Sequence, residues 1–166
     1  TWTVSGTWTN ASTDGTVWEA GTGTVTFHSD TAVTITLGVF SPVENEFNNV
    51  TFTSTAAGSI TFTLAMNPLS WGGTLTVNSD SVLAKGTLAF VGSALTVGGT
   101  GTNALTSTSG DVTLTGAVSV SNAASYIDLG SEVWTVSGSW TNSSTSASWD
   151  AGTGTVTFTG TATMTF

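Results

Sequence analysis

The chain lacks several residue types on which catalysis, disulfide bonding and membrane insertion depend. It contains no cysteine among its 166 residues, which excludes a disulfide scaffold and a thiolate metal site. It contains two prolines and one histidine. No apolar run approaches the roughly 20 residues that a membrane-spanning helix requires, so we expect no membrane insertion.

Charge is scarce as well, and its balance excludes two classes of partner. Lysine and arginine together number one against ten acidic residues, for a formal net charge of −9, and only 7% of the chain is charged. Binding to phosphates requires a cluster of cations, and Lys85 is the only lysine or arginine. We therefore expect no binding to nucleic acid or to anionic membrane surfaces.

What the chain has in abundance is alternation of apolar and hydroxyl residues. Threonine makes up about a fifth of the sequence, and it alternates with Val, Ile, Leu or Phe in many short segments. Such alternation gives a strand one apolar face and one polar face. Turn residues separate the segments, which predicts an all-β protein. The clearest segments are 23–29, 32–38, 49–54, 59–65, 73–79, 94–99, 111–116 and 154–160.

The spacing of the strongest strands predicts the architecture. Their centres follow one another at nearly regular intervals of about 18–26 residues, and a period in this range is typical of a solenoid. In a solenoid each coil buries its apolar face against its neighbours. We therefore predict a parallel β-solenoid, or β-helix, with coils of about 20–25 residues. The alternative is an antiparallel β-sandwich completed by a donated strand.

A long internal echo supports a repeating structure. Residues 2–10 read WTVSGTWTN, and residues 134–142, near the other end of the chain, read WTVSGSWTN. Both copies continue to AGTGTVTF, and the second is one residue shorter in a polar stretch that we assign to a loop. We predict a single domain over 1–166, with 1–35 and 134–166 as equivalent repeat units whose starts are separated by about six coils.

Three segments carry a resemblance to a known group of proteins. WTVSGSWTN (134–142), DAGTGTVTFTGT (150–161) and EFNNVTFTS (46–54) resemble the repeat regions of large microbial cell-surface β-solenoid proteins, which occur as adhesins and extracellular fibres. TLTVNSDSVLAKGTLAFVGSALTVGG (74–99) is similar to the middle coils of these proteins, so the resemblance covers most of the chain. It implies a parallel β-solenoid that is secreted or displayed on the cell surface, and it implies no activity.

The few residues that could catalyse a reaction or bind a metal are better explained by structural roles. His28 and Asp30 lie on the same strand face, but the echo has Thr159 where His28 stands, which favours an exposed strand residue over a catalytic one. Glu44 and Glu46 alternate with Val43, Asn45 and Phe47 in a turn, so both carboxylates could point outward on the same side and hold Ca²⁺. No calcium-binding motif surrounds them. We therefore predict no catalytic residue and no cofactor, and keep calcium near Glu44 and Glu46 as the weaker interpretation.

One glycine-rich segment and a set of tryptophans complete the structural interpretation. Gly98, Gly99 and Gly101 indicate a turn, because no helix follows to bind phosphate. Tryptophans recur in both copies of the echo, which favours packing over a sugar-binding platform, although surface glycans remain an alternative partner. The tryptophans concerned are Trp2, Trp8, Trp18, Trp134, Trp140 and Trp149.

Three asparagines are candidates for modification. Asn10, Asn49 and Asn142 satisfy the acceptor pattern for N-glycosylation. Asn10 and Asn142 occupy equivalent positions in the two copies of the echo. We therefore predict these three positions as possible glycosylation sites.

These observations lead to one functional expectation. We expect a non-enzymatic structural protein of an extracellular filament or cell-surface adhesin that assembles end to end through its terminal strands. Its partners are then further copies or adjacent repeats. The alternatives are a pilin-like subunit completed by a donated strand and a carbohydrate-binding β-helix module.

Overall fold

The computed structural model describes residues 1–12, 21–38, 47–145 and 150–165. Every regular element in these ranges is a β-strand. In chain order the strands are β1 (Trp2–Ser5), β2 (Trp8–Thr9), β3 (Thr24–His28), β4 (Val33–Thr36), β5 (Asn49–Thr53), β6 (Ile60–Ala65), β7 (Leu69–Asn78), β8 (Ser81–Gly86), β9 (Phe90–Val97), β10 (Ala104–Ser107), β11 (Val112–Leu114), β12 (Val118–Val120), β13 (Tyr126–Ile127), β14 (Val133–Val136), β15 (Trp140–Asn142), β16 (Thr155–Phe158) and β17 (Met164–Thr165).

The strands pair in parallel between successive coils, so the predicted β-solenoid is confirmed. All pairings of these strands are parallel, which makes the alternative antiparallel sandwich wrong. Parallel pairing requires a connection that returns the chain to the same end of the sheet, and here the rest of each coil provides it. The alternating sequence specifies which face of each strand is buried, but not the direction of pairing.

Three stacks of strands run along the solenoid, and we name them columns A, B and C. Column A consists of segments 69–71 and 90–92 followed by β11, β14 and β16. Column B consists of β1, β3 and β5, then segments 75–78 and 95–97, then β12, β15 and β17. Column C consists of β2, β4, β6, β8, β10 and β13.

Column B runs through all coils of the described chain. One row of ladder partners joins Trp2, Val25, Val50, Leu75, Leu95, Val118, Trp140 and Met164. From Val25 to Trp140 the members of this row are buried. Each member follows the previous one by the predicted period of about 20–25 residues, so the coil length is confirmed.

The core inside the coils is built from stacked side chains in equivalent positions. Phe27 and Phe52 are partners in column B, and their rings stack with centroids 5.2 Å apart. Phe62 of column C meets Phe52 edge-on, and Trp8 meets Phe27 in the same manner. Because each side chain packs on the one a coil above or below it, alternation within a strand suffices to fill the interior.

The two copies of the echo lie on different faces of the solenoid. Within each copy the pairing is the same, because Trp2 pairs with Val25 and Trp134 pairs with Val156. However, β1 belongs to column B, whereas β14 belongs to column A. Six complete turns lead from Trp2 to Trp140 rather than to Trp134. The second copy therefore begins one strand before the end of the sixth turn, in column A rather than in column B.

The glycine-rich segment after β9 is a turn, as predicted. Gly99 and Gly101 have φ values of 121° and 70°, in the left-handed region that favours glycine. A side chain at Gly101 would overlap the carboxylate of Asp80 in the preceding coil. The turn therefore requires glycine for both its backbone angles and its close stacking.

Candidate functional site

The predicted packing tryptophans have different environments. Trp134 and Trp140 are buried, and their rings meet edge-on at 5.9 Å. Trp8 is half-buried against the core. Trp2 is 64% exposed at the first coil, so a packing role for its side chain stays a prediction. Trp18 and Trp149 lie outside the described residues.

A buried tryptophan that the repeat did not reveal lies in column A. Trp71 is fully buried, and its Nε1 donates a hydrogen bond to the Ala94 carbonyl oxygen at 2.8 Å. Its ring occupies the space that a side chain at Gly92, its partner in the next coil, would need. Trp71 occurs once rather than in both copies of the echo, so repetition gave no signal for it.

His28 and Asp30 are close together at the end of β3, and the Asp30 carboxylate also contacts the next coil. His28 Nε2 lies 3.8 Å from Asp30 Oδ1, and both side chains are partly exposed. Asp30 Oδ1 instead accepts hydrogen bonds from the backbone N–H groups of Thr55 and Ala56 and from the Ser54 hydroxyl. These bonds join the turn after β3 to the equivalent turn one coil later.

The same hydrogen bonds perturb the acidity of Asp30. The backbone N–H of Thr55, followed by its hydroxyl, holds the pKa of Asp30 below its usual value of 3.8. The carboxylate is therefore engaged as an acceptor in a turn-to-turn contact rather than positioned as a proton donor. This arrangement gives Asp30 a structural contact, while the prediction that His28 is not catalytic stays a prediction.

The part of the chain that the structure describes contains no cluster of metal ligands. Across residues 1–12, 21–38, 47–145 and 150–165, no group of three or more His, Cys, Asp or Glu residues could hold a metal ion. Glu44 and Glu46, the weaker calcium candidates, lie outside these ranges, so that prediction stays a prediction. Acidic residues elsewhere, such as Asp80, accept hydrogen bonds from backbone N–H groups in turns.

The least expected feature is a buried ion pair involving the only basic residue. The Lys85 side chain is inaccessible to solvent, and its Nζ donates hydrogen bonds to the carbonyl oxygens of Leu88, Ser109 and Gly110 at 2.7, 2.7 and 2.6 Å. Nζ also lies 5.5 Å from the centroid of the Phe90 ring. All three N–H donors of the ammonium group are thus satisfied inside the solenoid.

Glu132 provides the opposite charge from a later coil. Its Oε1 lies 3.4 Å from Lys85 Nζ, and its side chain is equally inaccessible. The Trp134 indole donates a hydrogen bond to Oε1 at 3.0 Å, and the Ser107 hydroxyl donates to Oε2. Each member of this cluster, which we call the buried ion cluster (Lys85, Ser107, Glu132 and Trp134), therefore has a partner.

Burial and the paired charge act on Lys85 in opposite directions. Desolvation lowers its pKa, while the charge of Glu132 raises it, and desolvation dominates. Sequence reasoning identified Lys85 only as evidence against nucleic-acid binding and did not consider Glu132. No local signal marked either residue, because a single lysine in an otherwise cation-free chain would be expected on the surface.

The three predicted glycosylation sites differ in their surroundings. Asn10 and Asn142 lie in similar turns, where their Oδ1 atoms accept hydrogen bonds from the N–H groups of Ser12 and Ser144 at 3.0 and 2.9 Å. Asn49 is half-buried in β5, where its Oδ1 accepts a hydrogen bond from the N–H of Thr74. Modification at all three remains a prediction, and all three side chains are half-buried in the folded chain.

The outer surface of column B carries a continuous row of hydroxyl groups. The members are Thr3, Thr26, Thr51, Thr76, Thr96, Ser119, Thr141 and Thr165, each the ladder partner of the next. Neighbouring members are separated by the parallel-strand spacing of about 4.8 Å. This face is thus polar without being charged.

Comparison with known proteins identified no relative. No family model, no curated protein and no solved structure matches the chain. The described residues also include no helix long and apolar enough to cross a membrane. Function must therefore be argued from the solenoid and its side chains.

Proposed function

We propose that this chain is a non-enzymatic structural protein of an extracellular filament or cell-surface adhesin. The regular stacking of column B carries the proposal. Its internal rungs each bury an apolar residue, carry a hydroxyl on the outer face and continue the backbone ladder along the axis. Such a ladder makes a stiff rod, because every coil is bonded to its neighbours along the same direction.

The environment of the titratable groups supports a structural role over an enzymatic one. Asp30 joins two turns of successive coils, and the buried ion cluster is inaccessible to any substrate. General acid–base catalysis requires a titratable group that can reach the substrate's proton. Extracellular localisation rests on the resemblance of the sequence motifs to microbial surface repeats.

The equivalence of the rungs supports end-to-end assembly. The first rung of column B begins Trp2–Thr3, and the last begins Met164–Thr165, in the same order of apolar and hydroxyl residues as the internal rungs. Met164 is 51% exposed. A further coil, from the adjacent repeat or from another copy, would bury such a rung as internal coils do. A heterologous contact of this kind generates filaments.

The two methionines of the chain provide a matched test of assembly. Met164 lies in the last rung, whereas Met66 is 73% exposed in the turn between β6 and β7. We expect the chain to form rods, seen by electron microscopy and sedimentation velocity, with a fibre-diffraction spacing of about 4.8 Å along the axis. Met164→Lys should prevent their growth, and Met66→Lys should not.

The result that would overturn end-to-end assembly is a chain that remains monomeric at the highest concentration reached. Equal inhibition by both lysine variants would also contradict it, because charge rather than the end rung would then be responsible. Binding to glycans, the alternative suggested by the tryptophans, receives less support, because Trp134 and Trp140 are buried. A glycan array would detect such binding directly.

A further inference from the structure

The buried ion cluster has no part in the proposed assembly, yet it combines a nucleophile and an electrophile in a site closed to water. We propose that Lys85 and Glu132 condense to form an internal amide cross-link between Nζ and Cδ, with release of one water molecule. This inference does not depend on the proposed function. It concerns a covalent modification within one folded chain.

The geometry that carries the proposal is the fixed placement of both groups. Lys85 Nζ lies 3.4 Å from Oε1 of Glu132, an oxygen bonded to the carbon that it would attack. Three backbone carbonyl groups hold the nitrogen, and two donors hold the carboxylate. Groups positioned in this way react as if at very high concentration, because little freedom remains to be lost.

The reaction balances without any further reactant. Lys85 transfers one proton to a carboxylate oxygen of Glu132, which leaves a neutral amine and a carboxylic acid. The nitrogen lone pair then forms a bond to Cδ. A second proton moves from nitrogen to the departing hydroxyl, the C–O bond breaks, and water leaves. The product is a secondary amide that retains one N–H.

Two neighbouring side chains are placed to assist this step. The Trp134 indole donates a hydrogen bond to Oε1 and the Ser107 hydroxyl donates to Oε2, so one donor faces each oxygen of the carboxyl group. Negative charge develops on an oxygen as the nitrogen adds, and fixed donors in a dry site stabilise it. The same burial lowers the pKa of Lys85, which favours the neutral amine required for attack.

The energetic driving force is the removal of two buried charges. An ion pair inside a protein carries a desolvation penalty that its mutual attraction offsets only in part. The amide is uncharged and needs fewer partners. Two of the three carbonyl groups around Nζ lose their donor in the product, which opposes the reaction. Release of water from the interior and loss of both charges act in its favour.

The consequence would be a covalent link between non-adjacent coils. Lys85 lies in β8 of column C, Ser107 follows one coil later in the same column, and Glu132 precedes β14. The link would therefore close a loop that contains β9 to β13. Closing such a loop reduces the freedom of the unfolded chain and so stabilises the fold.

The composition of the chain makes the experiment simple, because Lys85 is its only lysine or arginine. Trypsin therefore has one site, and an amide on Nζ removes the charge that trypsin recognises. We expect the intact mass of the purified protein to be one water below the sequence mass, and the denatured chain to resist trypsin. A chain of full sequence mass that is cut after Lys85 would overturn the proposal.

The mass and the trypsin sensitivity of the wild-type chain test the cross-link whether or not any variant folds. A mass lower by one water in a chain that trypsin still cuts would place the dehydration elsewhere and would also overturn the proposal. The control is Glu132→Met, which removes the electrophile. It should restore both the full mass and cleavage after Lys85. Fragmentation of the wild-type chain with a protease that does not require lysine should yield one peptide pair joined through Lys85 and Glu132.

Discussion

Trp2 and Trp140 belong to the same row of column B, six turns apart, although the sequence aligns Trp2 with Trp134. Trp134 instead lies in column A, paired with Val112 and Val156. The repeated phrase is therefore a strand–turn–strand module that can be placed on different faces. The turn geometry, rather than the phrase itself, decides which face it occupies.

The two tryptophans of this phrase should differ in their contribution to stability. Trp134→Ala removes a buried ring and the hydrogen bond to Glu132, and we expect it to lower the free energy of unfolding by about 3–5 kcal/mol. Trp2→Ala, in the same local sequence, should cost far less because that side chain is 64% exposed. Urea denaturation measures both, and equal losses would contradict this assignment of environments.

The buried ion cluster predicts non-additive effects of substitution. Glu132→Met leaves the Lys85 ammonium uncompensated in the interior, and we expect a loss of about 3–5 kcal/mol relative to a chain that carries the ion pair. Relative to a chain joined by the proposed amide, the loss also includes that of the cross-link. Lys85→Met leaves the Glu132 carboxylate in the same situation. The double variant removes both charges and should be more stable than either single variant. Thermal denaturation of the four proteins forms a complete cycle, and additive losses would refute the coupling.

The lowered pKa of Asp30 predicts that the stability of the fold depends on pH in the acidic range. Its pKa is lowered in the folded state from the value of 3.8, so its contribution is present above that value and is lost as the pH falls through the lowered pKa. Asp30→Asn should therefore be less stable than wild type at neutral pH, and the difference should narrow in acid. Melting temperatures at several pH values test this. A constant difference would show that the charge of Asp30 is not responsible.

Gly92 is predicted to tolerate no side chain. A Cβ at this position would overlap the ring of Trp71, which is fully buried. We expect Gly92→Ala to destabilise the protein by about 1–3 kcal/mol through overpacking. The adjacent Val91→Ala is the control, because Val91 is 45% exposed and should be nearly neutral. Similar stability of both variants would mean that the Trp71 ring has room to shift.

Local pattern accounted for much of this fold. Alternation around residues such as Thr26 and Thr51 predicted strands with one buried face, and these side chains indeed alternate with buried Val25, Phe27 and Phe52. The period of the strands predicted the solenoid and the coil length. The number of columns was not predictable, because a strand of column A and a strand of column B have the same alternating pattern.

The buried ion pair and the packing of Trp71 could not be predicted from the sequence. Lys85 and Glu132 are far apart in the chain and match no motif, and each of them alone would be assigned to the surface. Their association depends on the lengths of the intervening coils, which bring β8 and the segment before β14 together. Trp71 and Gly92 likewise complement each other only because parallel pairing makes them partners in adjacent coils.

The sequence by itself determined that the chain is all-β, that its strands recur with the period of a solenoid, and that its surface is hydroxylated rather than charged. These properties follow from local alternation and spacing, which each strand carries independently of the others. Only the tertiary structure decided the phase of the echo, the exposure of Trp2 and the pairing of Lys85 with Glu132. The reason is that each of these depends on the accumulated lengths of the turns, which set what lies above and below every residue.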